Sequence, residues 1–371
     1  MEKKILVIIN SSNGLYKFRV EFLQKLIDNK NKVYIIAAPS KWSDTMREMG
    51  CEFIDNPIDR RGTNIIKEMK LLIKYIKYIK EIKPDLVLTY TIKPNIYGGI
   101  ACMLLKVPYI STITGMGSAL NNKGLLQKFV IRLYKFVEKK CEKIFFQNEG
   151  NREFFLNNKI IEKEKTRVVT GSGVNTNNYK YEEYPPCNNN AVKFLFIGRI
   201  MKEKGIEEYL NVATKVKQKY PNTEFHIIGG YDEEKYKERI EKLNEDKIII
   251  YHGETESSKP YIKCTHCTIH PSYHEGMANA ILETEATGRP AIVSNVSGCK
   301  EMVDDGKNGY VFEVKNEDEL QSKVEKFINL TYEEKKNMGI VAREKVEKDF
   351  NRNTVINTYM EEVNKVLYKN S

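Results

Sequence analysis

Between Cys267 and Gly288 an apolar, β-branched run (Cys267-Thr-Ile-His270) meets a Pro-Ser turn and Gly276. A helical pattern follows, Ala278-Asn-Ala-Ile-Leu-Glu-Thr-Glu-Ala-Thr-Gly288. Strand, tight turn and helix start in that order belong to the layered α/β folds. Such an elbow aims backbone N–H groups and the positive helix end at an anion, typically phosphate. Gly276 suits the elbow, because a backbone without Cβ can come close to a ligand. Glu275 lies just before the helix and Glu283 lies inside it, too far apart to stack on one helix face. Glu275 can therefore face something held in the turn, while Glu283 faces something reached from the first two helical turns.

The rest of the chain repeats the alternation. Ile5–Ile9 is a continuous apolar run of buried-strand type, Asn10-Ser-Ser-Asn-Gly14 reads as a turn, and Tyr16–Asn29 has helical spacing. Strands follow at Val33–Ala38, Leu86–Thr89, Tyr109–Ile113, Lys143–Gln147 and Arg167–Thr170, with a long helix over Asn64–Ile82. The first loop lacks the GxGxxG fingerprint of nicotinamide and flavin proteins. Asn177–Asn190, with Pro185-Pro186 and three consecutive Asn, reads as a linker. A second series restarts at Val192–Ile197 and continues through Glu224–Ile228, Ile248–Tyr251, Thr268–His270, Ala291–Ser294 and Gly309–Phe312. The tail, Glu333–Tyr368, holds two helical patterns that part near Asp349-Phe350-Asn351. A length of 371 residues allows two such domains, each with its own core.

A second polar cluster sits in Phe196-Ile-Gly-Arg-Ile-Met-Lys-Glu-Lys-Gly205, which places Arg199 and Lys204 around a strand-to-helix turn. Two cations beside a leaving diphosphate would neutralise the charge that develops as its bond breaks. Arg offers a bidentate fork and Lys a point charge.

Together, Pro-Ser-x-x-Glu-Gly-x-x-Asn-x-x-Leu-Glu, the following Gly288-Arg-Pro-Ala-Ile-Val-Ser294 and the Gly-Arg-x₄-Lys-Gly element resemble glycosyltransferase family 4. These are retaining enzymes of the GT-B type, and the nearest look-alikes make capsular polysaccharide or lipid-linked oligosaccharide. The resemblance covers most of the chain and is strongest over residues 194–313. It implies two Rossmann-like, doubly wound α/β domains facing each other across a cleft. Residues 1–184 would bind the acceptor, residues 191–350 would bind a nucleotide sugar, and residues 351–371 would form a helix crossing back to the first domain.

Carried over residue by residue, the motifs make Arg199, Lys204 and Glu275 the catalytic set. Glu283 would hold the donor ribose, and Glu275 the donor sugar's hydroxyls. Gly276 and the backbone N–H groups of Met277, Ala278 and Asn279 would take sugar or phosphate oxygens, and Gly14 would let the first-domain loop close over the diphosphate. The leaving phosphate oxygen would help deprotonate the acceptor hydroxyl, so neither a protein nucleophile, a metal nor a cofactor is expected, and no DxD pair suited to Mg²⁺ is present. Many members carry His before Gly in the loop after the fifth strand. This chain has Thr114-Gly115 within Thr114-Gly-Met-Gly-Ser118, a form that resembles the subgroup acting on lipid-linked acceptors, and no first-domain catalytic residue is assigned. Lys17, Arg19, Lys93, Thr114 and Gly115 are the acceptor-side candidates.

Charge points the same way. Up to Asn188 there are 32 Lys and Arg against 19 Asp and Glu, whereas the remainder has 28 against 31. Two basic amphipathic stretches, Lys67–Lys83 and Lys123–Lys143, could lie on an anionic leaflet; an ordinary packed helix with a solvated Lys face is the alternative. No run approaches a membrane span, and strand Ile5–Ile9 begins too soon after Met1 for a signal peptide. The expectation is a cytoplasmic protein held at the inner membrane face. Its partners would be a nucleotide sugar, UDP-linked in view of the resemblance, and a polyprenyl-diphosphate-linked saccharide, with no nucleic acid. Seven scattered cysteines read as free thiols, and Cys264, Cys267, His270 and His274 are spaced too tightly for a usual zinc site. Two rivals are a nucleotide-sugar 2-epimerase of the same fold and a non-catalytic nucleotide-sugar-binding membrane scaffold.

Overall fold

The structure, a computed structural model, describes residues 2–58, 62, 64–121, 124–187 and 191–369. Met1, Lys123, residues 188–190, Asn370 and Ser371, all used in the sequence reading, lie outside the described residues. The chain divides into two compact units, residues 1–172 with 353–371 and residues 173–352.

Unit 1 is built on a parallel sheet of β1 (Lys4–Ser11), β2 (Lys32–Ala38), β3 (Glu52–Asp55), β4 (Leu86–Tyr90), β5 (Tyr109–Ile113), β6 (Lys143–Phe146) and β7 (Thr166–Val168). Their order is β3-β2-β1-β4-β5-β6-β7. Alternate residues of β1 feed opposite cores, Leu6 and Ile8 one, Ile5 and Val7 the other. A parallel sheet needs cover on both faces. Helices Ser12–Asp28 and Arg352–Leu367 cover one, bringing Phe22, Leu23, Tyr359 and Val363. Helices Ile65–Ile82, Gly99–Leu105 and Leu125–Glu138 cover the other with Tyr75, Cys102 and Tyr134. Strand β3 escaped the sequence reading because its four residues at the sheet edge are partly or fully exposed and carry charge at both ends.

Unit 2 repeats the plan with β8 (Lys193–Ile197), β9 (Glu224–Ile228), β10 (Ile250–Tyr251), β11 (Cys267–His270), β12 (Ala291–Ser294) and β13 (Gly309–Phe312). All are parallel, in the order β10-β9-β8-β11-β12-β13. The order reverses between β8 and β11, paired through Phe194 and Cys267. In such sheets the ligand crevice opens beyond the carboxyl ends of those two strands.

The expected boundary at 184 is corrected to 172/173. The stretch Asn177–Asn190 reads as a linker by its Pro and Asn content, yet its described part packs on unit 2. Tyr184 is buried and its hydroxyl donates to the His266 carbonyl at 2.9 Å. The buried Arg289 guanidinium donates to the Glu182 and Glu183 carbonyls at 2.8 Å each. Where the chain enters and leaves unit 2, the two segments pair: Val174 N–H donates to the Phe350 carbonyl and Arg352 N–H to that of Val174.

Candidate active site

Two loops of unit 2 meet at the β8/β11 crevice. Strand β8 is followed by Gly198-Arg199, and the chain turns through a short 3-10 segment, Lys202–Lys204, into helix Ile206–Lys219. Strand β11 ends at His270 and passes through residues 271–278 into helix Asn279–Ala286. The loops are stitched together by Tyr273 N–H and Ser272 Oγ, which both donate to the Glu203 carbonyl, at 2.9 and 3.2 Å. Gly205 makes this approach possible: its φ is +72°, and a Cβ there would run into the Pro271 carbonyl. Gly205→Ala should therefore push the two loops apart. Strain at such a position costs about 1–3 kcal/mol, so melting should fall by several degrees and turnover with it. A variant as stable and active as the parent would show that the close approach is dispensable.

The result is a compact ion cluster. Lys204 Nζ donates to Glu275 Oε1 at 2.5 Å, and His270 Nε2 lies 2.8 Å from the same oxygen. The Glu275 side chain is only 11% exposed. Burial pushes its carboxyl up. The Lys204 ammonium and the His270 hydrogen bond reverse that push and hold it well below the usual carboxylate range. An ionised carboxylate can only accept, so His270 is the donor through Nε2. Its Nδ1 is buried with no partner among the described residues.

The neighbouring side chains form separate groups. Arg199, 49% exposed, donates from Nη1 to Asp232 Oδ2 at 3.0 Å. Glu283 Oε2 accepts from Ser258 Oγ at 2.7 Å, and Tyr179 OH lies 3.4 Å from that hydroxyl. Gly276, Met277 and Ala278 are buried in the turn. Helix Asn279–Ala286 begins without a side-chain cap, so its start remains a donor end. One expectation is corrected: Ala278 N–H does not face the crevice freely but donates to the Gly298 carbonyl at 2.8 Å. Gly298, at φ +87°, lies so close that a Cβ would meet Gly276 O at 2.7 Å. Gly298, Ser258, Tyr179 and Asp232 were not named from the sequence, and His270 was named only as an improbable zinc ligand. Among the described residues no group of three or more His, Cys, Asp or Glu could hold a metal ion.

Residues 181–345 match the family model "Glycosyl transferases group 1", and residues 4–148 match "Glycosyl transferase 4-like". The chain is a family 4-like glycosyltransferase of the GT-B type. An N,N'-diacetylbacillosaminyl-diphospho-undecaprenol α-1,3-N-acetylgalactosaminyltransferase of Campylobacter jejuni is 28% identical to it, over 84% of this chain and 85% of the relative. The capsular polysaccharide biosynthesis glycosyltransferase CapM of Staphylococcus aureus is 25% identical over 87% of each. A UDP-Gal:α-D-GlcNAc-diphosphoundecaprenol α-1,3-galactosyltransferase of Escherichia coli is 27% identical over 70% of each. In fold, the chain matches a glycosyltransferase of Rickettsia africae with a TM-score of 0.81 at 19% identity over the whole of both chains.

Several unit 1 candidates of the glycosyltransferase stand elsewhere than expected. Gly14 lies in the first turn of helix Ser12–Asp28, not in a loop, and a Cβ there would meet nothing within 4 Å. The helix starts early because Ser11 closes β1 and the helix follows at once. Arg19 is 5% exposed, its guanidinium carbon 4.4 Å from the Tyr90 ring centre and 5.3 Å from that of Tyr359. It is a core cation held by aromatic faces, not a surface contact for an acceptor. Lys93 is mostly buried and donates to Glu68 Oε1 at 2.5 Å and to the Gly62 carbonyl at 2.8 Å. Lys17 is exposed on helix Ser12–Asp28. Thr114 and Gly115 lie in the turn between β5 and helix Gly117–Asn121.

Proposed function

We propose that the transferase moves a hexose or N-acetylhexosamine, with retention, from a UDP-linked sugar to a saccharide carried on polyprenyl diphosphate, and that it needs no metal to do so. The observation that carries this reading is the Lys204–Glu275–His270 cluster at the β8/β11 switch point, with Arg199 in the same crevice loop. The relatives named for diphospho-undecaprenol acceptors support the acceptor class, and the one named for UDP-Gal supports the donor nucleotide.

In the proposed reaction the bond from the sugar's anomeric carbon to phosphate breaks, and the acceptor oxygen bonds that carbon on the same face. The acceptor's proton passes to the departing phosphate oxygen. Lys204 and Arg199, on the loop after β8, neutralise the negative charge growing on the diphosphate. Glu275, kept ionised, accepts hydrogen bonds from the donor sugar's hydroxyls, and Glu283 with Ser258 receives the ribose. Such work is expected of a protein lying against the cytoplasmic face of the membrane that holds the acceptor lipid; no helix among the described residues is long and apolar enough to cross one.

A ligand that binds only the folded state raises its melting temperature. A panel of UDP-, GDP- and ADP-sugars in the presence of chelator should stabilise the protein with UDP-sugars alone. Arg199→Ala should weaken the effect. Stabilisation by another nucleotide, or only after Mg²⁺ is added, would overturn the donor or the metal-free part of the reading.

A further inference from the structure

Unit 1 exposes large apolar side chains on one of its two helical layers. Helix Gly99–Leu105 packs against Ile65–Ile82 on one side and Leu125–Glu138 on the other, and all three supply the core over Leu6 and Ile8. Each has therefore already buried an apolar face. Nevertheless Ile65, Ile66, Met69 and Ile73 of the first, Leu104 of the second and Leu125, Leu126, Phe129 and Phe136 of the third are exposed, Leu125 by 86% and Ile65 by 77%. At 100° per residue, Ile66, Met69 and Ile73 stand opposite the buried Leu71, Tyr75 and Ile79. Leu125 and Phe136 likewise stand opposite Val130 and Tyr134. Scattered apolar residues on a surface mean little, but these are not scattered. Among the described residues of unit 1, Tyr368 is the one exposed large apolar side chain outside this layer.

The same outward faces are basic. Lys70, Lys77 and Lys80 lie on the side of Ile66 and Ile73, and Lys128, Arg132 and Lys139 on the side of Leu125 and Phe136; all six are exposed. Aromatic and aliphatic side chains set among long-stemmed cations fit one surface well, a bilayer whose headgroups are anionic. Apolar tips enter the acyl boundary while the cations stay at phosphate level. A second copy of this chain fits worse, because a two-fold interface sets each patch against its own like charges.

We infer that this layer of unit 1 docks on an anionic lipid bilayer, with Ile66, Ile73, Leu125 and Phe129 inserted and the Lys and Arg residues paired with lipid phosphates. The inference deepens the proposed function, since a docked enzyme meets its lipid-borne acceptor in two dimensions. Its physical basis, however, is separate from the transfer chemistry.

The experiment is co-sedimentation of the full chain, without donor, with vesicles of phosphatidylcholine alone or mixed with phosphatidylglycerol. Binding is expected to the mixed vesicles and to weaken as salt rises. Leu125→Asp with Phe129→Asp should reduce it at least tenfold. Each of Lys70→Gln, Lys77→Gln and Lys80→Gln should reduce it about fivefold. All these variants should melt like the parent and keep its UDP-sugar stabilisation, so failure of docking and failure of the donor reading are told apart. Equal binding by parent and variants, or none by the parent, overturns the inference. So does a dimer in solution that the Leu125 and Phe129 substitutions dissolve, which would assign the face to a second copy.

Discussion

Lys204→Ala should lower kcat about 10²- to 10³-fold, the usual loss when one fixed donor to a developing anion is removed. The same change leaves the buried Glu275 carboxylate with His270 but without its cation. Removing one partner of a buried pair typically costs about 3–5 kcal/mol; residual crevice access for solvent places the expected loss at the lower end. Turnover at saturating donor and a thermal melt separate the two effects, and Lys204→Arg should restore stability more than rate, because a fork cannot reproduce the point charge. Acidity adds a second signature. The folded-state pKa of Glu275 is depressed, so its contribution is present above the unfolded carboxylate value of about 4.3 and is lost as pH falls through the folded one. Between pH 6 and 8 that contribution should be complete, so the parent's stability should not change with pH on account of Glu275. Below about pH 4 the parent should lose stability faster than Lys204→Ala, which has less of the pairing to lose. Similar acid profiles for both proteins would mean that Lys204 does not hold Glu275 ionised.

Arg289→Met should be the largest purely structural loss. The guanidinium is 1% exposed and donates to the carbonyls of Glu182, Glu183, Lys263 and Thr265 at 2.8 to 3.1 Å. Methionine fills the space but supplies no donor to those four carbonyls, of which that of Thr265 is in a buried bond and the other three are in part-buried ones, an expected cost of roughly 3–4 kcal/mol. At about 2–4 °C per kcal/mol, melting should drop by about 10 °C. The segment before Pro185-Pro186, no longer held, should become the first site of proteolytic cleavage. A melting point within a degree of the parent's would show that the carbonyls find other donors.

The alternation of strands and helices, and the elbow after His270, were legible because both are local: apolar runs, β-branched residues, a Pro-Ser turn and a glycine before a helical pattern. The meeting of Lys204 with Glu275 was only half legible. The residue types were suggestive, but the contact depends on a backbone approach between Gly205 and Pro271 that no side-chain pattern reveals. Arg19 shows the opposite failure. Its partners Tyr90 and Tyr359 lie far away in sequence, so a cation on a helix looked like a surface ligand. Arg289 was seen only as part of a motif, since its partners are carbonyls, which every residue has. The linker reading failed for the same reason, as Pro and Asn content says how a segment turns and not what it packs against.

Unit 2 is one uninterrupted stretch of chain, whereas the core of unit 1 includes Val355, Ile356, Tyr359, Met360 and Val363, from beyond it. Domains generally fold as they leave the ribosome, the first made going first. Here that order is inverted. The first-made unit emerges with part of one sheet face bare and waits through the translation of all of unit 2 before its closing helix arrives, so the later-made unit is the first that can be complete. For that interval the nascent chain carries an open apolar face around Phe22 and Phe145, on which Tyr359 later packs, and a premature stop after unit 2 would leave a chain with one finished half and one that cannot close.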